Sequence, residues 1–372
     1  MIYMAGIYIH IPFCKQRCSY CDFFSSTGNR RIDTYITAIC SEIKERSDYL
    51  NNEPVETIYF GGGTPSVLSF SDFKRIFDTL YSVYGENENR EVTLEANPDD
   101  LSPNYLPTIT SFPFNRISLG IQSFDDSELK LLNRRHDAQS AIRAVQLLQK
   151  EEFNNISIDL MYGLPGQNLK TWEKTLRQAV DLRVQHISAY HLTYEEGTPL
   201  QKRLKEGSLT PVDEEMSNRM FDVLIDTLAA SGFEHYEISN FSRPGFQSRH
   251  NASYWDGTHY LGLGAAAHSY NGFSRRWNNK TLTPDYWTSG FETETLDEKT
   301  KYNDFVITRL RVMKGMDLNE LNTLFGESQK AYCLQQAQKY VANGWLKYEN
   351  NGLRLTRKGV FISDRIMRDL II

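Results

Sequence analysis

The 372-residue chain has no apolar run able to cross a bilayer, which takes about 20 residues. Its longest apolar runs, such as Ile7 to Phe13, fall far short. No basic N-terminal segment precedes a long apolar core, so the sequence does not read as secreted and is expected to stay in the cytoplasm. A global positive field is also missing: 41 basic against 47 acidic residues leave a net charge of −6, which argues against nucleic acid as a partner. Cysteine is scarce. There are five, and an odd number in a large chain without a leader speaks against a disulfide framework. Repeats and low-complexity tracts are absent, and the 40% hydrophobic and 24% charged content is that of an ordinary globular protein.

What is present is a repeating pattern. Short β-rich segments at Ile7–Phe13, Thr57–Phe60, Glu91–Glu95, Arg116–Gln122, Asn155–Tyr162 and His186–Thr193 alternate with amphipathic stretches, clearest at Asp33–Leu50, Ser71–Tyr84, Ala138–Glu151 and Leu169–Leu182. Strands alternating with helices imply βαβ units and a parallel sheet. Six units are too few for a closed eight-stranded barrel, so the α/β fold class expected is a partial (β/α)6 TIM-like barrel over residues 1–200. Residues 201–290 read as an extension of the barrel, with a long helix over Asp213–Ser231 and an aromatic-rich stretch from Phe233 to Trp277. Residues 291–372 read as an α+β winged-helix-like domain. Helices over Met316–Phe325 and Gln329–Asn343 lead to a hairpin turning at Asn350-Asn351-Gly352, then to a last helix over Val360–Leu370. Only Arg354, Arg357 and Lys358 lie near the wing, so a structural or substrate-covering role is expected for it.

Three cysteines crowd into eight residues, Cys14-x-x-x-Cys18-x-x-Cys21, directly after the first strand. A fully ligated four-iron cluster takes four cysteines. Three thiolates on one short loop can hold three corners of a 4Fe-4S cluster and leave one iron open. Zinc is the alternative, with His10 or Asp22 completing a tetrahedron, and would make the chain a zinc-stabilised scaffold or nucleic-acid binder. Cys40 and Cys333 lie in helical patterns and read as small buried hydrophobes.

Other candidates sit at strand ends, where barrels of this kind carry their chemistry. Gly61-Gly62-Gly63-Thr64-Pro65 permits close backbone approach, and without a following Lys-Ser/Thr it is no phosphate loop. Glu95 closes the third strand, Gln122 the fourth, Asp159 lies in the fifth, and Arg134 follows in a helical segment. A structural Glu95–Arg134 pair at the barrel mouth is the plain alternative to a ligand there. In Arg249-His250-Asn251-Ala252-Ser253-Tyr254-Trp255, His250 could ligate a haem iron or stack on a porphyrin; a packed aromatic turn is the alternative. The small residues of Gly262-Leu263-Gly264-Ala265-Ala266-Ala267 could line a flat pocket or permit close packing.

Tyr8-Ile9-His10-Ile11-Pro12-Phe13-Cys14 with Cys18-Ser19-Tyr20-Cys21 resembles the signature of radical S-adenosylmethionine (SAM) proteins, and the resemblance runs in register over nearly the whole chain. It is strongest to the HemN/HemW group, which holds oxygen-independent coproporphyrinogen III dehydrogenases and haem chaperones. The resemblance implies that Cys14, Cys18 and Cys21 bind the cluster, whose open iron chelates the amino and carboxylate groups of SAM. An electron from the cluster then cleaves the sulfonium to a 5′-deoxyadenosyl radical. It implies SAM contacts from Tyr8 and Tyr20 beside the cluster. Gly62, Gly63 and Thr64 would face the methionyl amino group, Glu95 and Arg134 the methionyl end, and Gln122 and Asp159 the ribose. His250 would contact haem.

Two departures separate the branches. Phe23 stands where the dehydrogenase pattern has a further cysteine, and a first cluster cysteine at position 14 leaves no room for that enzyme's N-terminal extension. Both favour a haem chaperone that passes haem to an acceptor protein and takes electrons from a donor. A peripheral membrane contact is compatible with this reading, and coproporphyrinogen III oxidation is the alternative.

Overall fold

The structure, a computed structural model, describes residues 4–28 and 30–372. Six strands stand side by side in chain order and all run parallel: β1 (Ala5–Ile11), β2 (Val55–Gly62), β3 (Glu91–Ala96), β4 (Arg116–Gln122), β5 (Ile156–Tyr162) and β6 (His186–His191). Parallel neighbours need crossovers. These are α1 (Ile32–Glu45), α2 (Phe70–Tyr84), α3 (Leu106–Thr110), α4 (Asp126–Leu131) with α5 (Ala138–Lys150), and α6 (Leu169–Asp181). The local reasons are visible in α2. Ser69 and Asp72 form a capping box, and Phe73, Ile76, Phe77 and Leu80 recur at helical spacing on the buried face.

The strands alternate, and that alternation builds the site. Ile7, Ile9 and Ile11 of β1, Ile58 and Phe60 of β2, Leu94 of β3 and Ile117 and Leu119 of β4 are buried in the core beneath the helices. The residues between them point to the other face of the sheet because side chains alternate along a strand. There Tyr8 packs on Tyr59, and Tyr59 bonds to Glu95. A parallel strand buried on both faces is usually apolar throughout. The polar inner face is therefore a place built for something other than packing.

Among the described residues the sheet is wider than the pattern predicts, with twelve strands. Beyond β6, after α7 (Pro199–Lys205) and α8 (Glu214–Ala230), come antiparallel β7 (Glu234–Glu237) and β8 (Asn240–Ser242). Next to β1, β9 (His259–Leu263) adds a further parallel strand, followed by antiparallel β10 (His268–Tyr270), β11 (Ser274–Trp277) and β12 (Glu292–Thr295). The glycines here serve close packing: a Cβ on Gly262 would lie 2.0 Å from the His268 carbonyl oxygen, and one on Gly264 2.6 Å from that of His10. Between β8 and β9, Arg249–Asp256 forms helix α9, capped by Ser248 and ended by Gly257 at φ 81°. The packed aromatic turn offered as the alternative for this segment is thus a helix.

The C-terminal part contains α10 (Glu298–Arg311), β13 (Met316–Asp317), α11 (Leu318–Phe325), α12 (Glu327–Ala342), the hairpin β14 (Leu346–Glu349) and β15 (Gly352–Leu355), α13 (Arg357–Val360) and α14 (Ser363–Leu370). Asn350 and Asn351 both take left-handed φ, 51° and 58°, as a tight two-residue hairpin requires. Arg357 bonds Asp222 and Asp226 of α8 at 2.5 Å each, so this wing cation holds the module against the barrel. Among the described residues no helix is long and apolar enough to cross a membrane.

Candidate cluster and cofactor site

Strand β1 delivers the chain into the cysteine loop. Phe13 and Cys14 pair in parallel with Ser26 and Thr27, which closes the loop at its base. Ser19 pins its middle: its N–H donates to Leu132 O (3.0 Å), its carbonyl accepts from Leu200 N (2.9 Å) and its hydroxyl donates to Leu131 O (2.9 Å). The Tyr20 ring packs on a satellite apolar group with Leu132, Met161 and Leu164. Cys14, Cys18 and Cys21 are all free thiols, half-buried. Burial raises the thiols of Cys14 and Cys21 above their ordinary range.

The surroundings of the thiols show what His10 could add to a zinc site. His10 has no ring nitrogen to spare: Nε2 donates to Phe24 O at 3.0 Å, and Nδ1 accepts from the Tyr8 hydroxyl at 3.1 Å. Among the described residues no three His, Cys, Asp or Glu side chains converge on one ion. A tetrahedral zinc with Zn–S near 2.3 Å draws its sulfurs within about 3.8 Å of one another. A cubane gives each cysteine its own iron, so its thiolates stand farther apart. Three free thiols on one loop, with both His10 nitrogens already bonded, match the donor set of a cluster that leaves one iron open.

Arg134 lies just past α4, where Asn133 at φ 57° has ended the helix. Its Nη1 reaches Cys18 Sγ at 3.2 Å, and its Nη2 donates to Asn97 Oδ1 (2.6 Å) and Gly120 O (2.5 Å). Nε is buried without a partner. Asn97 in turn donates to Thr64 Oγ1 at 3.1 Å, and Thr64 donates to Cys14 Sγ at 3.4 Å. The structural Glu95–Arg134 pair is not formed. Glu95 instead accepts from Tyr59 OH at 2.7 Å and from Gly62 N at 3.1 Å. Burial, with Asp159 nearby, pushes its carboxyl up to about 7. A buried carboxyl with no cation beside it is driven toward its neutral form, because its charged form lacks a partner.

Gly62 holds φ 106°, and a Cβ there would lie 2.4 Å from the His10 ring. A Cβ on Gly63 would lie 2.8 Å from Ile11 O. The glycine loop is therefore folded tightly against the base of the cysteine loop. Gln122 takes a left-handed φ of 68° at a break in the β4–β5 register, and its amide lies beside Gly120 and Arg134. The Asp159 carboxyl is raised to about 6 by burial, partly offset by the nearby hydroxyls of Ser188 and Ser118. Cys loop, glycine loop, Glu95, Arg134, Gln122 and Asp159 thus share the mouth and inner face of the barrel. Tyr59 and Asn97 were not singled out in the sequence. Their signal was there: Tyr59 keeps the period of the polar face, and Asn97 lies two residues after Glu95.

His250 stands apart from this group. It is 1% exposed and plugs the inner face from α9, its ring 5.0 Å from Tyr59 and 6.4 Å from Tyr8. Nδ1 bonds Thr57 Oγ1 at 2.8 Å and Nε2 bonds Tyr254 OH at 2.9 Å. Burial lowers the ring to about 3, so it is neutral. An iron reaching Nε2 has to displace Tyr254.

Comparison with known proteins agrees with this geometry. The radical SAM superfamily model matches residues 8–179, and the HemN C-terminal domain model matches residues 296–362. The heme chaperone HemW of Mycobacterium tuberculosis is 33% identical over 98% of this chain and 94% of its own length. That of Lactococcus lactis is 32% identical over 98% and 97%. A mitochondrial radical S-adenosyl methionine domain-containing protein 1 from Bos taurus is 32% identical over 99% and 87%. The solved coproporphyrinogen III oxidase HemN of Escherichia coli superposes with a TM-score of 0.86 over 99% of this chain and 90% of that one, at 22% identity, a likeness of fold. With its three-cysteine loop and polar inner face, the chain belongs to the HemW family of radical SAM proteins.

Proposed function

We propose that this chain is a haem chaperone of the cytoplasm: it binds haem, carries a 4Fe-4S cluster and SAM, and passes the haem to an acceptor protein. The observation that carries the reading is similarity over the full length to proteins named for that role, at 30–33% identity in several bacteria. Phe23, 63% exposed beside Cys21, occupies the place where the dehydrogenase pattern has a cysteine.

Cys14, Cys18 and Cys21 would hold the cluster, which when bound supplies the electron for cleaving the SAM sulfonium. Arg134 would carry the methionyl carboxylate beside Cys18, near which its guanidinium lies with Asn97 and Gly120. Glu95, lacking a cation of its own, would take the ammonium, with Tyr59 and Gly62 N fixing the carboxylate. Asp159 and Gln122 offer acceptors for ribose hydroxyls. Tyr8, Tyr59 and His250 close the floor beneath and exclude water.

The test pairs two assays on one anaerobically reconstituted sample. Stoichiometric binding of hemin with transfer to an apo-haemoprotein supports the proposal. Conversion of coproporphyrinogen III to protoporphyrinogen, given reductant and SAM, would replace it with the dehydrogenase reading, and a sample holding zinc without iron would remove both.

A further inference from the structure

Asn97 stands directly after β3, and its backbone is pinned on both sides. Its N–H donates to Ser66 Oγ at 3.4 Å, and its carbonyl accepts from Asp100 N at 3.0 Å across the turn Pro98–Asp100. The side chain is left facing Arg134 and Thr64. A guanidinium has donors only, so Oδ1 must face Arg134 and Nδ2 must face Thr64. That orientation passes down the line. Thr64 Oγ1 accepts from Asn97, which leaves its own hydrogen for Cys14 Sγ at 3.4 Å. Nη2 of Arg134 is spent on Asn97 Oδ1 and Gly120 O, which leaves Nη1 for Cys18 Sγ at 3.2 Å.

Resting on the cluster reading above, we propose that Asn97 is a positioning residue that sets the reduction potential of the cluster, by aiming one side-chain donor at each of two thiolates.

Other donors near the sulfurs belong to the cysteine loop itself: Ser25 at Cys14, Tyr20 at Cys18 and the Phe23 N–H at Cys21. Thr64 and Arg134 reach in from outside, from just past β2 and from the turn after α4, and Asn97 is the residue they share. Arg134 carries the larger effect, because none of its bonded partners is a carboxylate and its Nε–H is buried without a partner. Reduction adds an electron to a cluster whose thiolates are already negative. Hydrogen bonds and cations at the sulfurs stabilise that added charge and so raise the potential. Without Asn97, both outside donors lose the group that orients them, and the cluster becomes harder to reduce.

The next anchor on the same loop supplies a control. Asp100, its side chain 1% exposed, holds Lys15 of the cysteine loop at 2.5 Å and accepts from Ser66 Oγ at 2.8 Å. It braces the loop but bonds neither Thr64 nor Arg134.

Potentiometric titration of the anaerobically reconstituted full chain without SAM, followed by the paramagnetic resonance of the reduced cluster, tests this. A midpoint does not depend on how many chains hold a cluster. Asn97→Leu is expected to make reduction roughly tenfold less favourable, a midpoint about 59 mV lower for a one-electron couple. Thr64→Val removes one hydroxyl with little change of shape. It should lower the midpoint by less, and it remains informative if Asn97→Leu holds no cluster. Asp100→Asn should lose melting temperature without lowering the midpoint. Midpoints equal to wild type in Asn97→Leu and Thr64→Val overturn the assignment, as does a drop in Asp100→Asn as large as that in Asn97→Leu, and either result leaves the cluster reading standing. A wild-type sample with no reducible iron–sulfur signal removes the cluster reading itself.

Discussion

Arg134 and Asn97, joined by a hydrogen bond of 2.6 Å, connect two of the three cysteines of the loop. Arg134 reaches Cys18, and Asn97 reaches Cys14 through Thr64. The cysteine loop is thus positioned by residues from the ends of β2 and β3 and from the turn after α4.

Breaking that relay should loosen the cluster and the cofactor together. Asn97→Leu leaves Arg134 and Thr64 without their shared partner, and a lost hydrogen bond to a charged group costs about 1.5–3 kcal/mol. SAM affinity measured by calorimetry on reconstituted protein should fall roughly 10- to 100-fold on that basis. Iron retained per chain after desalting should fall as well. Unchanged values of both would show that the relay is only a feature of the ligand-free loop.

Glu95 makes stability depend on pH in an uncommon direction. Its carboxyl is raised from 4.5 to about 7 in the folded chain, and Asp159 is raised to about 6. The folded chain therefore keeps protons that the unfolded chain releases, and stability declines as pH rises from about 4.5 toward 7. The melting temperature of the apo-protein should drop over that window, and Glu95→Gln should flatten the drop. A ligand ammonium stabilises the carboxylate, so SAM should displace a proton and bind more tightly as pH approaches 7. A pH-independent affinity would place the ammonium elsewhere.

The glycine loop tolerates no side chain. Gly62→Ala forces a Cβ against His10 at a φ of 106°, and steric strain of this kind costs on the order of 1–3 kcal/mol. His10 holds Phe24, which lies on the return limb of the cysteine loop. The variant should therefore lose cluster iron as well as melting temperature. A variant that melts lower but keeps full iron would separate the two loops.

His250→Ala is a structural lesion before it is a functional one. It strips the partners from Thr57 and Tyr254 and opens a void among Tyr8, Tyr59 and Tyr254. Unsatisfied buried groups cost about 1–3 kcal/mol each. Urea denaturation should show a loss of at least about 2 kcal/mol, the lower sum for the two groups, with the cavity adding to it. A midpoint equal to wild type would mean that Tyr254 and Thr57 find other partners, for instance each other.

The barrel was legible in the sequence because its strands keep period two over Ile7–Ile11 and Ile156–Leu160 and its helices keep period 3.6 over Phe73–Leu80. Helix α9 and strands β9–β12 were not. They run only three to eight residues each, too few turns or alternations for a period to show, and tertiary contacts hold them. Arg134 was read into a helix that ends before it, because a left-handed asparagine leaves little trace in composition.

By itself the sequence determined the lineage and narrowed the metal chemistry to a site with three thiols. Three cysteines spaced within one loop after a strand constrain ligand number whatever the rest of the chain does, and the polar residues of period-two strands must share a face. Only the tertiary structure decided which partners those residues have. Hydrogen bonds between residues distant along the chain depend on register and helix rotation. That is why Glu95 meets Tyr59 instead of Arg134, why Arg134 turns to Cys18, and why His250 lies sealed inside the barrel while Trp255, one turn further on, looks out into a cavity.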